Sequence, residues 1–212
     1  MNQSPPDILS SEWGWDNFRR DVFQLVAWGY QLVETEVRQR HQEEDITGLL
    51  RRGIREKLDE ELPPRFRFYF PANEDPVDDD GAFGKKRRRV DILIECSGSR
   101  PRVRYRLEAK RCARNENAIG TYTEGVLAFV QRRYARDSPE AGLLGLVQSD
   151  TAEHWRMQLS LKLGEDESLR CQSLFTHIDL TPNLLPVSVS LHQRDDGSLI
   201  SLYHAFLDCN QP

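Results

Sequence analysis

The sequence predicts an α/β fold in which a central mixed β-sheet is flanked by helices. Apolar residues recur at helical spacing from Trp13 to about Arg40, and again from about Glu43 to Glu61. The segment RRVDILIEC then has the continuous apolar run of a strand that is covered on both faces. Downstream, strand-like and helix-like periods alternate, which is typical of an α/β domain.

The remaining elements follow in order. The alternating segment RFRFYF predicts a strand, and RVRYRLEAKRC predicts another, which forms a hairpin with RRVDILIEC across the turn SGSRP. A helix is expected from about Ala118 to Tyr134, then the short buried strand AGLLGLVQ, then a helix capped by Asp150. Three further strands are expected at LFTHIDL, VSVSLHQ and LISLYHAFLD, the last two joined by the turn RDDGS.

The length of 212 residues suits one domain with an extension. We expect an N-terminal helical extension at 1–40, a core at 41–150, and a C-terminal helix and strands at 151–212 that complete the same domain. No apolar run reaches the roughly 18 residues of a membrane span, and no secretory signal is evident. Four cysteines without C-x-x-C spacing predict free thiols, so we expect a cytoplasmic protein. Because no segment is apolar enough to span a bilayer, we expect no membrane partner.

The charge of the chain is unevenly distributed. Its net charge of −5 argues against a protein that coats nucleic acid by bulk charge. Lysine and arginine are nevertheless concentrated between Lys85 and Arg114. This basic segment is either a local footprint for phosphate groups or an ordinary solvated surface.

One strand places two charges where a buried sheet would not need them. In VRYRLEAKRC, the side chains of Tyr105 and Leu107 share one face, while Glu108 and Lys110 share the other. Asp91 lies within the otherwise apolar strand that is predicted to pair with it, where an unpaired carboxylate is costly. Chance, a structural ion pair, or a metal site with a catalytic lysine would each account for the pattern.

A further carboxylate comes from the second predicted helix. On a helical wheel Glu43 falls on the side of Ile46 and Leu50, towards the sheet, whereas Glu44 points further round towards solvent. The wheel alone separates these two glutamates, and a helix N-terminal charge is the alternative role for Glu43.

This order of residues resembles the PD-(D/E)XK phosphodiesterase superfamily, which has the restriction-endonuclease-like fold. The resemblance is carried by Glu43 in the first core helix, by Asp91, and by Glu108 and Lys110 in LEAKR. It covers roughly residues 43–148, and the helix and strand after LEAKR follow where that fold has its next helix and strand. Val90 stands where the family name has proline.

The resemblance implies a metal-dependent endonuclease that acts on DNA, although the residues do not distinguish DNA from RNA. It implies Mg²⁺ or Mn²⁺ held by Asp91, Glu108, the carbonyl of Ala109 and Glu43, with Lys110 orienting or deprotonating a water or neutralising the phosphorane. It also implies an effector of bacterial antiviral defence or restriction, working as a homo-oligomer or with a partner protein. The basic residues expected to contact nucleic acid are Lys86, Arg88, Arg111 and Arg114.

Two alternatives remain open at the level of sequence. The first is a catalytically silent interaction or regulatory subunit with the same fold. The second is an unrelated α/β protein with an accidental match, which predicts that Asp91 and Glu108 lie on non-adjacent strands. Gln131, which lies at helical spacing behind the motif, is a further candidate to support the site.

Overall fold

A computed structural model describes residues 12–76, 89–98, 102–114 and 117–211, which form four α-helices and one seven-stranded sheet. None of the helices in these ranges has the length and apolar character needed to span a bilayer. In chain order the elements are α1 (Glu12–Val33), α2 (Glu43–Leu58), β1 (Tyr69–Pro76), β2 (Arg89–Cys96), β3 (Val103–Cys112), α3 (Ala118–Val130), β4 (Glu140–Val147), α4 (Ala152–Glu165), β5 (Cys171–Ile178), β6 (Val187–Gln193) and β7 (Leu199–Asp208).

The sheet is open and mixed, with the strand order β1-β2-β3-β4-β7-β6-β5. Strand β4 runs parallel to both β3 and β7, and the other neighbours are antiparallel. One hydrophobic cluster joins α1 and α2 to one face of the sheet, and a second joins α3 and α4 to the other. The predicted α/β class, the mixed sheet with helices on both faces, and the β2–β3 hairpin are therefore confirmed.

Helices α1 and α2 cross at a pair of glycines. A Cβ atom added at Gly53 would lie 2.1 Å from the carbonyl oxygen of Gly29, which is far inside a van der Waals contact. The two backbones can approach this closely only because neither position carries a side chain. The crossing fixes α2 over the sheet, with Ile46 and Leu50 in the core.

Two predicted boundaries at the N-terminal end were wrong. Helix α1 ends at Val33 rather than near Arg40, because the chain turns there, with the amides of Glu36 and Val37 donating to the Val33 carbonyl. Val37 is fully buried although it lies outside the helix, which explains why the apolar period continues past the helix end. Helix α2 ends at Leu58 rather than near Glu61, shortly before two prolines.

The segment RFRFYF was predicted to be one strand, and this prediction was wrong. Residues Pro64–Phe68 form a 3₁₀ helix, and β1 begins only at Tyr69. The alternation arises because Phe66 is buried while Arg65 and Arg67 are exposed, a pattern that one tight turn satisfies as well as a strand. Pro64 in the first turn favours the helical alternative, since its ring fixes φ for a helix start.

The ends of α3 and α4 also differ from prediction. Helix α3 ends at Val130 rather than at Tyr134, because Arg132 adopts a left-handed φ of 57°. The cap of α4 is Thr151, whose hydroxyl accepts a hydrogen bond from the His154 amide at 3.1 Å. Asp150, the predicted cap, has a φ of 60° and bonds the guanidinium of Arg114 instead.

A buried chain of hydrogen bonds ties α3 to β6 and β7. The carbonyl of Leu169 can only accept, so Nδ1 of His192 donates to it at 2.7 Å and Nε2 of His192 accepts from the Ser190 hydroxyl at 2.7 Å. Nε2 of His204 then donates to Ser190 at 2.8 Å, and its Nδ1 accepts from the Tyr122 hydroxyl at 2.9 Å. When both imidazoles are neutral, each of these four hydrogen bonds has one donor and one acceptor.

Candidate active site

Asp91 and Glu108 lie side by side on adjacent strands. The antiparallel register pairs Ile92 with Leu107, which brings Asp91 opposite Glu108 on one face of the sheet. Oδ2 of Asp91 accepts a hydrogen bond from the amide of Ala109 at 2.7 Å, and Glu108 is buried. The alternative of an accidental match predicted non-adjacent strands, and the observed pairing is the opposite.

Lys110 stands two residues further along β3 and joins this pair to helix α2. Its Nζ lies 2.9 Å from Oε1 of Glu108 and 2.9 Å from Oε1 of Glu43, the first residue of α2. Glu44 is exposed, so the structure turns Glu43 and not its neighbour towards the lysine. Four of the residues singled out in the sequence, from three separate elements, therefore meet at one place.

The start of α2 is held in position by Gln148, which follows β4 and is 1% exposed. Its Nε2 donates to the carbonyls of Gln39 and His41 at 2.7 and 2.8 Å, so the loop before α2 is fixed to the end of β4. Its Oε1 accepts from Nε of Arg111 at 2.6 Å. From the sequence, Gln148 was predicted only as the end of a strand; the signal that could have identified it is an amide that ends a fully buried apolar run.

The ionisable groups in this cluster perturb one another strongly. Burial raises the pKa of Glu108 to about 8, with Asp91 adding to the shift and Lys110 opposing it. Burial also raises the pKa of Asp91 to about 6, against the effects of Lys110 and the Ala109 amide. For Lys110, burial alone would lower the pKa, but the carboxylates of Glu108, Glu43 and Asp91 outweigh it, so the pKa is raised and the ammonium keeps its proton.

The site suits a hard divalent cation. Among the described residues, the buried Oε2 atom of Glu108 has no hydrogen-bond partner, and burial raises the pKa values of both Glu108 and Asp91, with Asp91 adding to the shift of Glu108. Within the same residues, no group of three or more His, Cys, Asp or Glu side chains is placed to hold a metal ion. Mg²⁺ fits such a site, because it is commonly bound by one or two carboxylates and keeps several waters.

Helix α3 covers the cluster on the side of Gly125. A Cβ atom added at Gly125 would lie 3.7 Å from Cγ of Glu108 and 3.7 Å from Cε of Lys110. Beyond the helix, burial raises the pKa of the Tyr134 phenol, and Glu108 contributes to the shift, so this ring also lies near the cluster. From the sequence, Tyr134 was predicted only as a helix end, and no local pattern distinguishes it. Gln131 is exposed at the end of α3.

The candidate basic residues are placed as follows. Arg111 donates to the side-chain oxygens of Gln148 and Gln42, and Arg114 forms an ion pair with Asp150. Both arginines line a cleft at the ends of β3 and β4. Lys86 and Arg88 lie outside the described residues.

The chain matches no protein-family model, and no curated protein or solved structure matches it significantly.

Proposed function

We propose that this protein is a metal-dependent nuclease that hydrolyses phosphodiester bonds in DNA. The observation that carries the proposal is the adjacent pair of Asp91 and Glu108, with Lys110 on the same face of the same strand pair. The element order α2-β1-β2-β3-α3-β4 supports it as well, because the resemblance to the PD-(D/E)XK superfamily implies a helix, strand and hairpin around these residues and a helix and strand after them. A role in bacterial defence or restriction rests on that resemblance alone.

In this proposal Asp91 and Glu108 hold the cation, with the carbonyl of Ala109 as a further ligand. Mg²⁺ or Mn²⁺ bound there supplies Lewis-acid polarisation of the phosphate and a water of lowered pKa. The protein contributes rigidity, because both carboxylates stand on paired strands rather than on a loop. The amide of Ala109 fixes one oxygen of Asp91, so that carboxylate is oriented before any ligand arrives.

Lys110 is the residue that faces the reacting phosphate. An ammonium group has three N–H donors, and two of them are directed at Glu43 and Glu108. The third is available to a phosphate oxygen, where a positive charge stabilises the negative charge that develops in the transition state. Since its pKa is raised, Lys110 acts as a fixed cation rather than as a base, and Glu43 positions it.

The proposal is tested by cleavage of supercoiled plasmid and single-stranded DNA in Mg²⁺, Mn²⁺ or EDTA. Wild type is compared with Lys110→Met and with the matched control Lys162→Met, which removes a partly exposed lysine of α4 that pairs with Asp166. We expect metal-dependent cleavage that Lys110→Met abolishes and Lys162→Met retains, with both variants folded by circular dichroism. Cleavage that persists in Lys110→Met would contradict the proposed role of this lysine.

A catalytically silent subunit with the same fold is the second candidate. It is favoured by the two carboxylates that already engage Lys110 and by the lack of a three-acid group among the described residues. This candidate predicts that the folded wild-type protein neither cleaves nucleic acid nor binds a divalent cation. Cleavage by wild type under any of the metal conditions above would exclude it.

A further inference from the structure

A second feature lies beside the candidate active site, at the ends of β3 and β4. A cleft of about 700 Å³ opens there, bounded by the loop before α2 and by the segments that follow the two strands. Three arginines line it, Arg40, Arg111 and Arg114, and none of its described lining residues is acidic. On a chain with a net charge of −5, this is a local concentration of positive charge that faces open space.

The three guanidinium groups are held in different ways. Arg111 donates to two side-chain amide oxygens, those of Gln148 and Gln42, at 2.6 and 2.9 Å. Arg114 is paired with Asp150, which offsets part of the positive charge. Arg40 is exposed and has no ion-pair partner within the residues that the structure describes. The cleft therefore combines an oriented cation with an exposed one.

The cleft and the candidate active site share their supports. Arg111 directly follows Lys110 in β3, and although successive side chains leave a strand on opposite faces, both reach the start of α2, where Lys110 pairs with Glu43 and Arg111 donates to Gln42. Gln148 bonds both Arg111 and the loop that leads to Glu43, so one buried side chain fixes the geometry of both places. A ligand that extends past Lys110 along the end of the sheet would enter the cleft.

We propose that this cleft binds a backbone phosphate of the nucleic acid strand, next to the phosphate that Lys110 faces. The inference rests on the proposed function, since it takes the strand to lie across Lys110. Guanidinium groups, three of which line the cleft, match phosphate oxygens in a bidentate geometry. Free phosphate has the same chemistry as a strand phosphate, and the test separates the two sources.

The test measures binding without cleavage. A labelled single-stranded DNA oligonucleotide is titrated by fluorescence anisotropy in EDTA over a range of salt concentrations, with wild type, Arg40→Gln and Arg67→Gln. Arg67 is the matched control, because it is exposed and precedes β1, whose first residue pairs with Cys96 at the opposite end of the sheet. Inorganic phosphate is titrated separately by calorimetry into wild type and Arg40→Gln.

We expect Arg40→Gln to lower the slope of log K against log salt by about 0.7, the value for one phosphate contact on a single strand. A decrease of this size in the slope corresponds to roughly a tenfold loss of affinity at low salt. The affinity and the slope of Arg67→Gln are expected to stay close to those of wild type. Equal effects of the two substitutions, or no effect of Arg40→Gln, would overturn the proposal. Saturable binding of inorganic phosphate that depends on Arg40, with oligonucleotide affinity unchanged, would overturn the assignment to a strand phosphate.

These outcomes are distinguishable from failure of the nuclease proposal. If the oligonucleotide binds through Arg40 but no metal supports cleavage, the cleft is a phosphate site on a protein that is not a nuclease. If metal-dependent cleavage occurs and Arg40→Gln binds DNA like wild type, the nuclease proposal holds and the cleft proposal fails.

Discussion

The crossing of α1 and α2 makes the most quantitative prediction about this fold. Gly53→Ala would place a Cβ atom 2.1 Å from the carbonyl oxygen and 2.9 Å from the carbonyl carbon of Gly29, and 3.0 Å from Cγ1 of Val33. The first two contacts are with main-chain atoms, which cannot rotate away as a flexible side chain would. The helices must therefore separate, and α2 must shift on the sheet.

The size of the effect follows from two opposing terms. Overpacking a well-packed core costs about 1–3 kcal/mol and occasionally more, and a backbone clash belongs at the upper end. Alanine in a helix interior returns up to about 1 kcal/mol relative to glycine. We therefore expect Gly53→Ala to lower the free energy of unfolding by about 2 kcal/mol. Gly48→Ala, on the same helix with no atom within 4 Å of the added Cβ, is expected to raise it by up to about 1 kcal/mol.

Urea denaturation followed by tryptophan fluorescence and circular dichroism measures both changes. The midpoint is expected to shift in opposite directions for the two variants, with the slope m unchanged, because only the native packing is altered. If Gly53→Ala were as stable as Gly48→Ala, the close approach of the two helices would be refuted, and with it the account of how Glu43 reaches Lys110.

Three further predictions concern the surroundings of the site. Gln148→Leu strips hydrogen bonds from buried groups and is expected to cost about 2–4 kcal/mol in urea denaturation, whereas a cost below about 1 kcal/mol would contradict its role as a support. Burial lowers the pKa values of His192 and His204, so the stability they contribute is present above pH 6.5 and is lost as the pH falls below it. The melting temperature of wild type is therefore expected to fall more steeply from about pH 7 to pH 5 than that of His192→Gln, and parallel curves would contradict this. Mg²⁺ is expected to raise the melting temperature of wild type but not that of Asp91→Asn, and equal shifts would place the cation elsewhere.

Much of the candidate site was accessible from sequence because its geometry is local. Alternation within one strand fixes Glu108 and Lys110 on one face, and a short turn fixes the neighbour that carries Asp91. Helical periodicity separates Glu43 from Glu44 in the same way. Each of these inferences needs only the pattern of a single element or a hairpin.

The parts that were missed depend on contacts between distant segments. Gln148 supports the site through carbonyls more than one hundred residues away in the chain, and Tyr134 reaches the cluster after a helix ends early. The parallel pairing of β4 with β7 is also long-range, so periodicity within each strand could not reveal it. The segment RFRFYF misled because a short alternating pattern fits a 3₁₀ turn after prolines as well as a strand.

The most direct test of the central claim is the rate at which wild type and Asp91→Asn nick supercoiled plasmid in Mg²⁺ under identical conditions. Asp179→Asn, which changes an exposed aspartate, serves as the matched control. We predict that wild type and the control cleave in Mg²⁺ and not in EDTA, and that Asp91→Asn is slower by about a hundredfold or more, since the metal supplies several kcal/mol of transition-state stabilisation. Equal cleavage by Asp91→Asn, or none by the folded wild-type protein, would contradict the account.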